Sequence, residues 1–481
     1  MSRRPRLSSV PVRGLLVTCL VGLLSCLPGC RRSEPPKNLI LITIDTLRAD
    51  RLSLYGYDRE TSPNIDRWAS RGMVFDRAWS VSSWTLPSMN MLLTGQVQLN
   101  NSGRVLDEQI PIAEHLSKAG FQTAAVIANG LLRPALNYDR GFDSFEKVRP
   151  KKGRKVYWDG RDVMDRGMAW LEARDERPFF LFLHFIDPHA PYQPKIGNQF
   201  EIRNEPENHE RMKAVLSDED RARLDQIMYL RIEGQRSMYE SEVLYADGIL
   251  GELFDYLERT GLDDSTVVVL TADHGEGLWQ RPPPEGDDAE RGSLFQPLYQ
   301  AHGGHLFSEQ VHVPLIVRGP GIPAGREERD VSLLDVTPTL YRLLGIDVPR
   351  RLSGQDLFAP AGNVPIFGIC SRGLSVTVDG RWRLHKANPL RAAKFNIEPE
   401  LFDIVEDPEE LHPIDDPARI AELSALIDDW MARYEHTIAV PVLDDPSLLQ
   451  DLRDLGYAGE AERLEGEIEK ARAEAAETEK R

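Results

Sequence analysis

Five stretches of the chain are apolar almost without interruption: "NLILITID" (38–45), "FQTAAVIAN" (121–129), "PFFLFLHFID" (178–187), "TVVVLTAD" (266–273) and "VPLIVRG" (313–319). Runs of this kind, with no alternation of polar positions, fit strands buried on both faces, which sit in the middle of a parallel sheet. Between them the pattern turns helical in "IAEHLSKAG" (112–120), "DVMDRGMAWLEA" (162–173) and "YESEVLYADGILGELFDYLERTG" (239–261). Strands alternating with amphipathic helices predict an α/β fold with a doubly wound, mainly parallel sheet. Ligands of such sheets bind beyond the carboxyl ends of the strands. Three of the runs close there on acids or histidines, namely Asp45, Asp187 with His189, and Asp273 with His274, so these groups are expected on one rim.

Two segments break the pattern as insertions. Residues 193–235 are polar and charged, with helical pieces, and residues 279–301 form a long Pro/Gly/acid loop between two His-bearing motifs. A loop of that length beside a site reads as a lid or specificity loop, or as a poorly ordered segment. Near residue 360 the pattern changes again. "VPIFGIC", "LSVTVDGRWRLHKA" and "ELFDIVEDPEE" read as short antiparallel strands, with "DG" as a hairpin signal, followed by a helix from Ile420 to Tyr434. The expected organisation is a main domain over 37–360, a smaller subdomain over 361–458, and a charged helical or disordered tail over 459–481.

Composition narrows the function. Of 481 residues, 41% are hydrophobic and 28% charged, enough for a large core. A net charge of −18 excludes a broad nucleic-acid-binding surface, so an anionic substrate would need a focused local site with a metal. At the N-terminus, Arg3, Arg4, Arg6 and Arg13 precede "GLLVTCLVGLLSCLPGC", which is too short and too interrupted for a good membrane span. Residues 1–30 resemble a bacterial lipoprotein signal, with Cys26, or alternatively Cys30, as the lipidated residue; an ordinary secretory signal is the plainer reading. The implied location is the cell envelope, exported and lipid-anchored. Cys370 is the one cysteine outside this segment, so no internal disulfide is expected in the mature domain.

The candidate chemistry is carried by a few residues. In "SWTLPSMNMLLTG" (83–95) Thr85 opens a helix, either as its cap or as a presented hydroxyl. Asp45, at the end of a buried strand, is placed to bind a metal or to cap the segment after it. Adjacent Asp273 and His274 offer an oxygen and a nitrogen to one divalent cation, and Gly275 lets the backbone turn; the plainer reading is a turn with a satisfied histidine. His184 alternates with apolar neighbours and reads as core. His189 lies on a path kept extended by Pro188 and Pro191, placed to bind an anionic oxygen or protonate a leaving group. His302 and His305 flank a Gly-Gly pair in "AHGGHLF" and read as structural or as part of the site.

Eight motifs in order resemble the sulfatase family of the alkaline phosphatase superfamily: "LITIDTLRAD", "TSPNIDRWASRGMVFDRAWS", "TLPSMNMLLTG", "PFFLFLHFIDPHAPYQP", "YESEVLYADGILG", "VVVLTADHGEG", "HGGHLFSEQVHVPLIVRGPG" and "SLLDVTPTLYRLLGI". The resemblance implies a catalytic domain over 37–360 followed by a smaller antiparallel-sheet-plus-helix domain. It also implies one divalent metal (Ca, Zn or Mn) and a covalent intermediate on the nucleophile. Carried over by position, it makes Asp45, Asp273 and His274 metal ligands, and Thr85 the nucleophile and a further ligand. His189 becomes the histidine on the substrate's anionic group, and His302 falls in the later His/Lys region. The chain departs from the family at four places. Thr85 is neither Cys nor Ser, so no formylglycine is expected. Met89 stands where the signature has Arg, Thr46 where it has a second acid, and "IANG" where it has Lys and His.

These features lead to a metal-dependent hydrolase of sulfate or phosphate esters working through Thr85. Thr nucleophiles also occur in envelope phosphoethanolamine and glycerol-phosphate transferases, which makes a phosphotransferase the alternative. A non-catalytic binding protein with the sulfatase fold is the third reading.

Overall fold

The structure is a computed structural model that describes residues 37–466 apart from 101–102, 150, 153–155, 283–297, 299–300, 361, 363, 391–397, 438–448, 451 and 454–464. The signal segment with Cys26 and Cys30, most of the 279–301 loop and nearly all of the 459–481 tail therefore lie outside the described residues. Among those residues, no helix is long and apolar enough to cross a membrane.

The strands in chain order are β1 (Asn38–Ile44), β2 (Met73–Trp79), β3 (Gln122–Ile127), β4 (Ser144–Lys147), β5 (Lys151–Lys152), β6 (Val156–Tyr157), β7 (Phe179–Phe185), β8 (Thr266–Ala272), β9 (His312–Arg318), β10 (Gly325–Ser332), β11 (Ile366–Ile369), β12 (Gly373–Val378), β13 (Trp382–Ala387) and β14 (Glu400–Asp403). Eight of them form the main sheet in the order β10-β2-β9-β8-β1-β7-β3-β4. β1 runs parallel to β7 and β8, and β3 parallel to β7 and β4, whereas β9 is antiparallel to β2 and β8. The five apolar runs became β1, β3, β7, β8 and β9. In β1, β7 and β8 every residue is buried, as a strand covered on both faces requires.

β2, β4 and β10 were not foreseen. β4 and the first half of β10 lie at the sheet's two edges and are largely exposed, so neither needs an apolar run. β2 carries half-buried Asp76 and Arg77 in mid-strand. The helix expected over 239–261 starts earlier and spans Gln226–Thr260, so the second part of the polar segment 193–235 belongs to it. Glu233 and Arg236 are buried on this helix as an ion pair, which explains why a charged stretch continues it.

Register places the site. Ile44 pairs with both Ala272 and Phe185, so the residues that follow β1, β7 and β8 leave the sheet side by side. Ile127 pairs with His184, bringing the end of β3 to the same edge. The second sheet, β11-β12-β13-β14, is antiparallel and packs against helix Pro417–Arg433 through Leu423, Ile427 and Trp430.

Helix Thr85–Thr94 is buried along its whole length. It joins the two cores, with Met89 and Leu92 in the large one and Met91 in the one beneath the second sheet. A helix buried on all sides cannot roll without emptying packed volume on both, and this fixes where Thr85 points.

Candidate active site

Thr85 is the first residue of its helix, and Trp84 occupies the capping position, so the cap reading of Thr85 does not hold. Its Oγ1 is fully buried, 3.2 Å from His274 Nε2 and 3.5 Å from Asn129 Nδ2. Ser80 and Ser88 hydroxyls both donate to the Asp273 carbonyl, at 2.5 and 2.6 Å, tying the Thr85 helix to the end of β8.

Around Thr85, the side chains of Asp45, Asp273 and His184 each have one polar atom fixed and another left open. Asp45 Oδ2 accepts from Asn129 Nδ2 at 2.7 Å, while Oδ1 has no hydrogen-bond partner. Asp273 Oδ1 accepts from the backbone N–H of Thr46 and His274, at 3.2 and 2.8 Å, while Oδ2 is open. His274 Nδ1 bonds the Gly275 carbonyl at 2.8 Å, which leaves Nε2 facing Asp273 Oδ2 at 3.4 Å and Asp45 Oδ1 at 3.9 Å. His184 Nδ1 bonds Thr43 Oγ1 at 2.6 Å, and its Nε2 is open. Asp45, His184 and Asp273 can each turn one ligand atom to within 4.8 Å of the other two.

Buried polar atoms without partners cost about 1–3 kcal/mol each. Several of them converging on one point, of both oxygen and nitrogen type, fit a divalent cation, the group the sulfatase resemblance implies. The electrostatics agree. Burial alone would raise the Asp45 carboxyl, but its neighbours, His189 foremost, hold it below the usual carboxylate range. Burial and the Asp45 charge push Asp273 up to about 7. Two carboxylates within 4.8 Å of each other repel by roughly 3 kcal/mol at an effective dielectric near 20. A cation between them removes that repulsion. Burial pushes His274 down to about 4, so it stays neutral and able to ligate at ordinary pH.

His302 also reaches the site. Its ring lies 4.4 Å from that of His274 and 5.2 Å from that of His189, and its Nδ1 is 3.1 Å from Glu276 Oε1. Burial pushes Glu276 up to about 8 and His302 down to about 3. Asp187 is turned elsewhere: it accepts from Gly160 N at 2.7 Å and pairs with Lys195. His305 packs on Phe307.

All the residues singled out for the chemistry, Asp45, Thr85, His189, Asp273, His274 and His302, thus stand together. Sequence reasoning missed three neighbours. Asn129 lies two residues past the end of β3, whereas Asp45 directly follows β1, so its place near a strand end was only a weak signal. Glu276 follows the Asp-His pair by two residues. His184 is indeed wholly buried, but its open nitrogen turns toward Asp45 Oδ2 at 3.6 Å, which an apolar strand pattern cannot reveal.

The chain resembles known proteins along most of its length. An N-acetylglucosamine-6-O-sulfatase of Bacteroides thetaiotaomicron is 23% identical, over 73% of this chain and 75% of that protein. A solved structure, described as a complex with its substrate D-glucosamine-2-N,6-O-disulfate, superposes with a TM-score of 0.65 at 21% identity, covering 84% of this chain and 99% of that one. A phosphonate monoester hydrolase from Silicibacter pomeroyi superposes with a TM-score of 0.61 at 20% identity, covering 83% and 95%. Residues 37–346, well over half of the chain, match the sulfatase family model, and the chain is a member of the sulfatase family of ester hydrolases in the alkaline phosphatase superfamily.

Proposed function

We propose that the chain hydrolyses phosphate mono- or diesters, with sulfate esters as the second substrate class, by passing the phosphoryl or sulfuryl group through Thr85 Oγ1. The observation that carries this reading is Thr85 Oγ1 held 3.2 Å from His274 Nε2, among the open atoms of Asp45 and Asp273. Asp45, Asp273, His274 and the Thr85 hydroxyl would hold the divalent cation, which supplies Lewis acidity and offsets charge on the oxyanion when bound.

In the first step Thr85 Oγ1, deprotonated, bonds to phosphorus or sulfur. The bond to the ester oxygen breaks, and that oxygen leaves with a proton supplied from the His189 side. Water then attacks the same central atom, the bond to Oγ1 breaks, and a proton returns to Thr85. Thr85 cannot become an aldehyde hydrate, so the intermediate is a plain ester released by this second attack, and for that reason phosphate stands ahead of sulfate. Asn129, 3.5 Å from Oγ1, steadies the attacking oxygen. The arginine-rich start, the apolar run and Cys26 (or Cys30) support an exported, lipid-anchored enzyme of the cell envelope.

The deciding experiment is a screen of aryl sulfate against aryl phosphate mono- and diesters with Zn²⁺, Mn²⁺ and Ca²⁺, run on the wild type and Thr85→Ala. Turnover in the wild type, its loss in the variant, and a covalent mass adduct on quenched wild type are expected. Full turnover in Thr85→Ala would remove Thr85 from the chemistry. Product analysis with an alcohol acceptor present separates hydrolysis from phosphotransfer.

A further inference from the structure

His184 is a fully buried imidazole that the proposed reaction does not use. It sits in β7 opposite Thr43 of β1, and their cross-strand register sets the 2.6 Å contact between Thr43 Oγ1 and His184 Nδ1. With Nδ1–H donating to Thr43, the lone pair of Nε2 points into the site. The other tautomer would aim a buried Nε2–H at Asp45 Oδ2 from 3.6 Å, beyond hydrogen-bond reach, and leave it unsatisfied.

The residue after Asp45 offers little to a cation. The Thr46 hydroxyl donates to the Asp45 carbonyl at 2.7 Å, its N–H donates to Asp273 Oδ1, and its carbonyl accepts from Tyr239 at 2.8 Å, with the backbone held at φ 57°. Every polar group of Thr46 is committed to shaping the loop. The donor atoms left open near Asp45 and Asp273 therefore include an imidazole where a second oxygen ligand from this loop is missing.

We infer that His184 is a ligand of the centre and, with His274, makes it an imidazole-containing site that takes zinc, manganese or a similar transition ion in preference to calcium or magnesium. The inference rests on the metal reading above. Calcium asks for six to eight oxygen ligands, whereas two carboxylates, two imidazoles and the Thr85 hydroxyl form a mixed N/O set of the kind first-row transition ions take. The Thr43 contact is the outer hydrogen bond that fixes a ligating imidazole's tautomer and orientation.

The test uses the full chain, stripped with chelator and titrated separately with Zn²⁺, Mn²⁺ and Ca²⁺ by calorimetry. Binding of zinc or manganese roughly 100-fold tighter than calcium is expected. X-ray absorption at the zinc edge of unmutated protein should show both imidazoles. His184→Asn should weaken zinc by roughly 100-fold or more, and Thr43→Val by about tenfold, which a purely structural His184 would not do. A single imidazole in the absorption data overturns the inference, as does unchanged zinc affinity in folded His184→Asn, a preference for calcium, or no binding of any of the three ions. If His184→Asn fails to fold, the absorption data on unmutated protein decide. Zinc bound by both imidazoles in a chain that turns over no ester would instead sink the proposed function and leave this inference standing.

Discussion

Two clusters of buried acids lie near the same edge of the main sheet, and they handle their charge in opposite ways. Asp187 and Glu242 share Lys195, whose ammonium pairs with Asp187 Oδ1 and lies 3.6 Å from Glu242 Oε1; Gly160 N donates to Asp187 Oδ2 at 2.7 Å, and Gln193 N donates to the same Glu242 Oε1 at 2.5 Å. Among the described residues, Asp45 and Asp273 pair with no lysine or arginine, and each keeps an open oxygen. The first cluster carries its own cation in a side chain. The second is shaped to receive one from outside. The same burial that makes one a structural clamp makes the other a ligand set, and the difference is the open atom.

The largest effect should come from removing a charged ligand. Asp45→Ala is expected to lower metal affinity and turnover on the order of a thousandfold or more, beyond the ~10–100-fold of losing an outer partner. In the metal-free protein the sign changes. Asp273→Asn removes one of two repelling carboxyls, so chelated Asp273→Asn should melt no lower than chelated wild type. A lower melting temperature would mean that the pair is not repulsive and the comparison between the clusters fails. The counterpart in the other cluster is Lys195→Met, which leaves Asp187 and Glu242 buried without a cation. It should cost roughly 3 kcal/mol in denaturant unfolding, the scale of breaking a buried ion pair, with or without added metal.

These contrasts also mark what the sequence could reveal. Asp45, Asp273 and His274 were legible because each ends an unbroken apolar run, and parallel strands deliver such ends to one edge. Thr85, His189 and His302 were legible through ordered motifs. Asn129 and His184 were not, since their roles come from register: Ile127 against His184, and Thr43 against His184. A one-residue slip would turn either side chain to the opposite face, and no local pattern encodes the pairing. Edge strands β4 and β10 escaped notice for a related reason, because strands exposed at an edge need no continuous apolar signal.

An intermediate effect is expected from pH. In the metal-free protein the Asp273 carboxyl holds its proton up to about 7, against an ordinary value near 3.8, because it is buried beside Asp45. That raised pKa gives stability that is present in acid and lost as pH climbs from about 4 to 7. His274, lowered by burial to about 4, does the reverse between about 4 and 6.5, so the two partly cancel in the metal-free melt. They do not cancel in metal binding, where the cation must displace the Asp273 proton. Affinity should therefore fall about tenfold per pH unit below about 7 and level off above it. The melting-temperature gain from added metal should be larger at pH 8 than at pH 5, and an equal gain at both would place the proton elsewhere.

The smallest effect belongs to Asn129, which sharpens the comparison because it does for Asp45 part of what Gly160 and Gln193 do for the other cluster. Its amide donates to Asp45 Oδ2 at 2.7 Å and lies 3.5 Å from Thr85 Oγ1, while its own Oδ1 accepts from Leu131 N at 2.8 Å. The side chain is thus held by the backbone at one end and orients two functional oxygens at the other. Asn129→Ala should lower turnover by about 10–100-fold while the fold and most of the metal binding survive. Asn129→Asp should do worse than Ala, although it is nearly isosteric. It would set a third carboxylate against Asp45 and Asp273, and where its charge is suppressed by a proton it offers one donor in place of the amide's two. If Asp proves better than Ala, Asn129 acts by filling space rather than by donating to Asp45, and the open-atom account of this cluster loses its outer support.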